Sequence, residues 1–164
     1  MTRGCSGMLL IEKGMEAYSG LRAPPAFGPL LLYVQAMACG AAARPADGLK
    51  LIDQALAIAA QGSDRALGSE FFQLKGDLLL ALSPDNAAEA EALFLAASNV
   101  AADAEAWMLQ LRAAIRLGRL WRDQGKQDQA RTLLGDVYGR FTEGLTNADV
   151  REAKALLDDM ASVG

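Results

Sequence analysis

The strongest indication of the fold is the sequence RLGRLWRDQGKQDQARTLL, residues 116–134. Large apolar residues stand beside small ones in it, and Gly125 lies in the middle. Upstream of this glycine, one face of a helix collects apolar and small residues, namely Trp107, Leu111, Ala114, Gly118 and Trp121. Downstream, apolar residues from Ala130 to Phe141 follow the i, i+3, i+4, i+7 spacing of a one-sided helix. The stretch therefore predicts two antiparallel helices joined by a short turn at Gly125.

The same hairpin recurs upstream at a regular step. A small residue marks the first helix of each copy, at Ala36, Gly76 and Gly118, giving steps of 40 and 42 residues. A second marker lies on the second helix of each copy, and its steps are 42 and 40 residues; it falls at Ala55, Ala97 and Val137. Two independent markers agree on the period, which indicates a helical repeat array.

The sequence predicts one all-α domain over residues 1–164, a right-handed superhelix of antiparallel hairpins with about seven helices. Its predicted units are a partial repeat at 7–20, repeats at about 26–61, 64–100 and 104–141, and a terminal helix at 148–162. Small residues let two helices approach closely, because the distance at a crossing depends on the side chains there. The residues predicted to build these contacts and turns are Ala36, Ala55, Gly76, Ala97, Gly118, Trp121, Gly125, Ala130 and Leu134.

Composition argues against most kinds of catalytic site. The chain has no histidine, which removes a histidine general base, a Ser–His pair and a histidine metal site. Its cysteines, Cys5 and Cys39, are too few for a zinc cluster or a disulfide framework. No G-x-x-x-x-G-K-[ST] phosphate loop is present. We therefore expect no catalytic residues, no metal and no cofactor.

Charge and hydropathy narrow the partners and the location. A formal charge of −4 argues against a general nucleic-acid surface. The apolar run Met8–Ile11 is too short for a signal peptide, and no apolar segment reaches the ~20 residues of a membrane helix. The sequence therefore predicts a cytoplasmic protein that binds neither nucleic acid nor membrane. Trp107 and Trp121 both lie on the apolar stripe, so we expect them in the core and not stacked on a ligand.

The segment GRLWRDQGKQDQAR, residues 118–131, resembles the tetratricopeptide repeat in its order of small, large, glycine and alanine positions. The period is longer here than the usual ~34 residues. Residues 116–160 are similar to the C-terminal repeat region of large bacterial signalling ATPases, many of which carry a class III adenylate or guanylate cyclase domain. The junction VYGRFTEG and the helix EAKALL carry most of that likeness. It implies a regulatory, interaction-mediating region and does not imply ATP hydrolysis in this chain.

By analogy with tetratricopeptide arrays, the first helices line a groove. The candidate groove residues are Leu30, Tyr33 and Met37 in the first copy, Glu70, Gln73 and Asp77 in the second, and Arg112, Arg119 and Arg122 in the third, with Arg116 nearby. One interpretation is a groove with a basic end and an apolar end that binds an acidic peptide. The other is lateral ion pairing of Glu70 with Arg112 and of Asp77 with Arg119, worth ~0–1 kcal/mol per exposed pair.

The predicted function is a non-catalytic scaffold for protein–protein interaction or regulation in bacterial signalling. Its expected partner is a protein or an acidic peptide, or upstream repeats or domains of a parent protein. One alternative is a C-terminal fragment of a multidomain ATPase or nucleotide-cyclase regulator that works only in that context. Another is a small-molecule sensor, which a deep apolar pocket between repeats would favour, whereas an open groove favours a peptide.

Overall fold

The computed structural model describes residues 13–14, 27–60 and 66–162. Within these ranges the regular structure is helical and contains no strand. The α-helices are α1 (Gly28–Ala41), α2 (Pro45–Ala59), α3 (Ala66–Leu82), α4 (Ala87–Asp103), α5 (Trp107–Asp123), α6 (Gln127–Tyr138) and α7 (Ala148–Ser162). The all-α prediction is confirmed.

The helices pack as three successive hairpins followed by a single helix. Each helix contacts the next along the chain, and the first helices of neighbouring hairpins, α1, α3 and α5, also contact one another. The second helices α2, α4 and α6 make no such contacts among the described residues. Helix α7 packs on α5 and α6, so it occupies the place of the next first helix. This pattern is the one expected of an array that curves with its first helices on the inner side; its handedness stays a prediction.

The small residues at the crossings make room for side chains of neighbouring helices. A Cβ on Gly76 would overlap the ring of Phe94, which comes from the facing helix α4. A Cβ on Gly118 would lie 3.2 Å from Cδ2 of Leu156 on α7. The two glycines therefore admit large side chains into the core, and Gly118 serves the contact with the last helix as well as its own hairpin.

Three of the connections share one turn geometry. The residues Ala43, Glu105 and Gly125 all have positive φ, at 57°, 53° and 76°. In each turn the next backbone N–H donates to a carbonyl of the last helical turn; the pairs are Arg44 to Cys39 at 2.9 Å, Ala106 to Ala101 at 2.8 Å and Lys126 to Trp121 at 2.7 Å. This is the left-handed cap that usually recruits glycine, and two of the three turns form it without one.

The connection between α3 and α4 differs from these three turns. A short 3₁₀ turn, Pro84–Asn86, follows α3. The Ser83 hydroxyl accepts a hydrogen bond from the Asp85 backbone N–H at 3.2 Å. The Asn86 amide donates to the Leu79 carbonyl oxygen at 3.0 Å, and this oxygen also accepts from the Ser83 backbone N–H at 3.1 Å.

The predicted units map onto the helices with one shift. Helix α4 continues to Asp103, beyond the predicted end of the second repeat near residue 100, and α5 begins at Trp107. The left-handed conformation of Glu105 supplies the turn that no Gly or Pro marks in the sequence. The predicted partial repeat at 7–20 lies outside the described residues except for Lys13 and Gly14, which are helical and exposed.

Candidate interaction groove

Helix α5 carries a row of arginines between α3 and α7. Arg112, Arg116, Arg119 and Arg122 are spaced by three or four residues, so they share one face of the helix. The neighbouring first helices α3 and α7 both contact α5. We call the surface across α1, α3, α5 and α7 the interaction groove, and the arginine row forms its middle.

On the α3 side, two carboxylates pair with this row. Glu70 lies 3.8 Å from Nη1 of Arg112. Asp77 accepts from Nε of Arg116 at 2.9 Å and 3.0 Å through its two oxygens. The predicted pairing of Glu70 with Arg112 is thus present in the structure.

The predicted pairing of Asp77 with Arg119 is wrong. Asp77 pairs with Arg116, and Arg119 pairs instead with Glu152 of α7 at 2.9 Å. The repeat step placed Arg119 at the position equivalent to Asp77, but equivalent positions on adjacent helices need not face each other. Arg116, three residues earlier, reaches α3, whereas Arg119 reaches α7.

The α7 side supplies acidic partners that the sequence did not assign to the groove. Asp149 lies 2.7 Å from Nε of Arg112, and Asp159 lies 3.1 Å from Nη1 of Arg122. Together with Glu152, these residues are spaced by three and seven positions, which puts them on one helical face. That spacing is readable in the sequence, but the packing of α7 against α5 is not.

A cavity of about 400 Å³ opens in the middle of the groove. It is lined by three acidic and three basic side chains and by Ile115; the charged residues are Asp77, Asp149, Glu152, Arg112, Arg116 and Arg119. The formal charges therefore balance. The groove is polar and zwitterionic here, not a basic end.

The expectation that Gln73 faces the groove surface is wrong, since the residue is only 4% exposed. Its amide nitrogen donates to the Ser69 hydroxyl at 3.1 Å and to the Leu109 carbonyl oxygen at 3.2 Å. Its amide oxygen accepts from Nη1 of Arg116 at 3.0 Å. Gln73 thus ties α3 to the start of α5 and holds Arg116 in place.

Burial governs the titration of two groove residues. It raises the pKa of the Asp77 carboxyl above its ordinary value of 3.8, and Arg116 opposes this rise by pairing with the charged form. Burial also raises the pKa of the Tyr33 hydroxyl, and the nearby Glu70 carboxylate adds to that rise.

The α1 end of the groove is apolar. Leu30 and Met37 are exposed there, at the positions equivalent to Glu70 and Asp77. The Tyr33 ring packs 5.4 Å from the ring of Phe71, measured between centroids, so Tyr33 joins the contact between α1 and α3. The expected apolar end is therefore present, whereas the expected basic end is neutral overall.

The two tryptophans differ in their surroundings. Trp121 is partly buried and packs against two core clusters, as expected. Trp107 is 42% exposed, so its assignment to the core is wrong. It is the first residue of α5, and the Arg140 guanidinium lies over its ring, 4.8 Å from the centroid.

In the described ranges, the groove included, no group of three or more acidic or cysteine side chains is arranged to bind a metal. In those same ranges, no helix combines the length and hydropathy needed to cross a bilayer. The chain matches no protein-family model and no curated protein sequence. The likeness to the repeat region of signalling ATPases therefore stays a prediction.

Proposed function

We propose that this chain is a non-catalytic protein-interaction module and that the interaction groove binds a peptide segment of its partner. The observation that supports this most directly is the side-by-side packing of the first helices, which gives a continuous surface from Leu30 and Met37 to Arg119. The central cavity is lined almost wholly by charged groups, which suits a peptide better than the small apolar ligand of a sensor.

The partner peptide combines an apolar residue with an acidic one. An incoming carboxylate has to displace a carboxylate that already pairs with an arginine. The Arg119–Glu152 pair is the easiest to exchange, since its side chains are 55% and 40% exposed and such pairs contribute only ~0–1 kcal/mol. The apolar residue contacts Leu30 and Met37 on α1. Helices α1 and α5 are two packing distances apart, roughly 20 Å, which about six extended residues can span.

In the cell, we place this module in the cytoplasm as part of a signalling assembly. The likeness to the repeat regions of signalling ATPases supports the second half of this proposal. The same likeness supports a tethered role, in which upstream repeats or domains of a parent protein bring the groove to its partner.

The binding proposal is tested by titrating a random peptide library against the wild-type chain, Arg119→Glu and the double variant Arg119→Glu/Glu152→Arg. The double variant keeps an internal ion pair but reverses it. Arg131→Glu is the matched control for charge, because Arg131 is an exposed residue of α6. We expect acidic–apolar peptides to be retained by the wild type and Arg131→Glu and lost by both groove variants. Equal retention by all four proteins contradicts the proposal.

The absence of catalysis is tested separately. Purified chain incubated with ATP or GTP and magnesium or manganese should show no turnover above buffer. Turnover that disappears when a single acidic residue is replaced would overturn the scaffold proposal.

A further inference from the structure

Helix α1 exposes an apolar stripe. Phe27, Leu30, Val34 and Met37 are spaced by three, four and three residues, which places them on one side of the helix, and all four are more than a third exposed. Within the described residues, α1 packs only on α2 and α3. The stripe is thus an apolar surface that none of the described helices covers.

The repeat explains what this surface is for. The 40-residue step makes Phe27, Leu31, Val34 and Ala38 of α1 equivalent to Leu67, Phe71, Leu74 and Leu78 of α3. On α3 these positions join the core cluster formed with α2, and Phe71 and Leu78 are 0% and 2% exposed. Their counterparts Phe27 and Val34 are 53% and 39% exposed. Phe27 and Val34 of the stripe therefore occupy positions that, on α3, pack against the preceding second helix α2.

The size of this surface argues against a second copy of the chain as its occupant. Helix α1 has 14 residues and so is about 21 Å long. With a contact width of about 10 Å, it offers roughly 200 Å² per partner, far below the ~800 Å² per partner of a stable interface. A tethered segment needs much less area, because its effective concentration reaches the millimolar range.

The sequence contains a segment that matches the stripe. Met8, Ile11, Met15 and Tyr18 repeat the spacing of three, four and three residues found on α1. Lys13 is helical and exposed, and a helical wheel puts it opposite these four residues. Residues 19–26, which separate Tyr18 from Phe27, can span up to about 28 Å, enough to run back along α1.

We propose that the side of the α1 stripe formed by Phe27 and Val34 is the docking site of the chain's own residues 7–18, at the position where a second helix would precede the first hairpin. Leu30 and Met37 stay open toward the interaction groove. Contact between this segment and Val34 seals the apolar end of the array without a partner protein. The proposal does not depend on what the interaction groove binds.

A double-mutant cycle in the full chain tests this docking. The variants are Ile11→Asp, Val34→Asp and both together, and Ile58→Asp replaces Val34→Asp in the control cycle because Ile58 is comparably exposed but lies on α2. A charge on either side of the contact expels the segment, so the second charge has little left to disrupt. We expect each single variant to lower the folding equilibrium constant and the Ile11–Val34 pair to deviate from additivity by about tenfold. The control pair should be additive.

Two outcomes overturn the proposal. Additive effects of Ile11→Asp and Val34→Asp in a monomeric protein mean that the segment does not touch α1. Sedimentation that shows a dimer dissociated by Val34→Asp but not by Ile58→Asp means that a second copy covers the stripe instead. If Val34→Asp prevents folding, Val34→Ser is substituted for it in the cycle and judged by the same two criteria.

Discussion

Asp77 and Arg116 form a bridge between the second and third hairpins, in which the Nε–H of Arg116 is shared by both carboxylate oxygens at 3.0 Å and 2.9 Å. The same guanidinium donates to the side-chain oxygen of buried Gln73. The bridge therefore does more than balance charge: it keeps a buried amide oxygen satisfied.

We expect Arg116→Ala to cost about 1–2 kcal/mol of unfolding free energy, because the oxygen of Gln73 loses its donor. Asp77→Ala should cost less, about 0.5–1 kcal/mol, since the pair is partly exposed. Urea denaturation of the single and double variants should give a coupling of about 1 kcal/mol. The matched cycle of Asp77→Ala with Arg119→Ala should show little coupling. A larger coupling in that second cycle would mean that Asp77 faces Arg119 in solution.

The titration of Asp77 provides a second test. Its pKa is raised by burial, so the protonated carboxyl favours the folded state. The contribution of Asp77 to the free energy of unfolding therefore falls as the pH rises from the ordinary value of 3.8 through the higher pKa of the folded protein. Carboxyl NMR should show this raised pKa. Arg116→Gln should raise it further, because Arg116 stabilises the charged form. A pKa below 3.8 in the wild type would contradict the dominance of burial.

Gly76→Ala should destabilise the protein by about 1–3 kcal/mol, because the new methyl group collides with the ring of Phe94 in a closely packed core. Gly135→Ala is the control: it also replaces a helical glycine, but its Cβ meets open space. That change should stabilise the protein by about 0.5–1 kcal/mol through helix propensity. Thermal unfolding should shift in opposite directions for the two variants, and a loss of stability in both would rule out this explanation.

Substitutions at the two equivalent turns should change the free energy of unfolding in opposite directions. Glu105 has φ of 53° and Gly125 has φ of 76°. Glu105→Gly should raise the free energy of unfolding by about 0.5–1 kcal/mol, because glycine adopts this conformation without the steric cost that a side chain incurs. Gly125→Ala should lower it by about 1 kcal/mol. Denaturant titrations of both variants measure the difference, and a destabilised Glu105→Gly would show that the Glu105 side chain contributes more than its backbone costs.

The helical array was predictable because its signal is local and repeated. Ala36, Gly76 and Gly118 occur at a nearly constant step, and each hairpin has its own apolar periodicity. The turn at Glu105 was not marked, since its geometry comes from backbone hydrogen bonding and not from a glycine. The sequence indicates a left-handed turn only where glycine, the residue most compatible with positive φ, occupies it.

The groove was predictable only as a set of positions. The repeat step located Arg112, Arg119 and Glu70, but ion pairing depends on the relative rotation and sliding of neighbouring helices. That freedom decided between Arg116 and Arg119 as the partner of Asp77. The acidic residues of α7 were missed for the same reason, because the loop after α6 does not encode how α7 lies against α5.

The ring of Phe94 on α4 fills the space that the missing side chain of Gly76 leaves on α3. If α4 slid along α3 by one helical turn, about 5.4 Å, the Phe94 ring would collide with other side chains of α3. The space beside Gly76 would then be left unfilled. The same helix that contains Gly76 also carries Glu70, Gln73 and Asp77. The contact between Phe94 and Gly76 in the core therefore fixes the axial register of α3 against α4. Surface residues of the groove can change without altering this register.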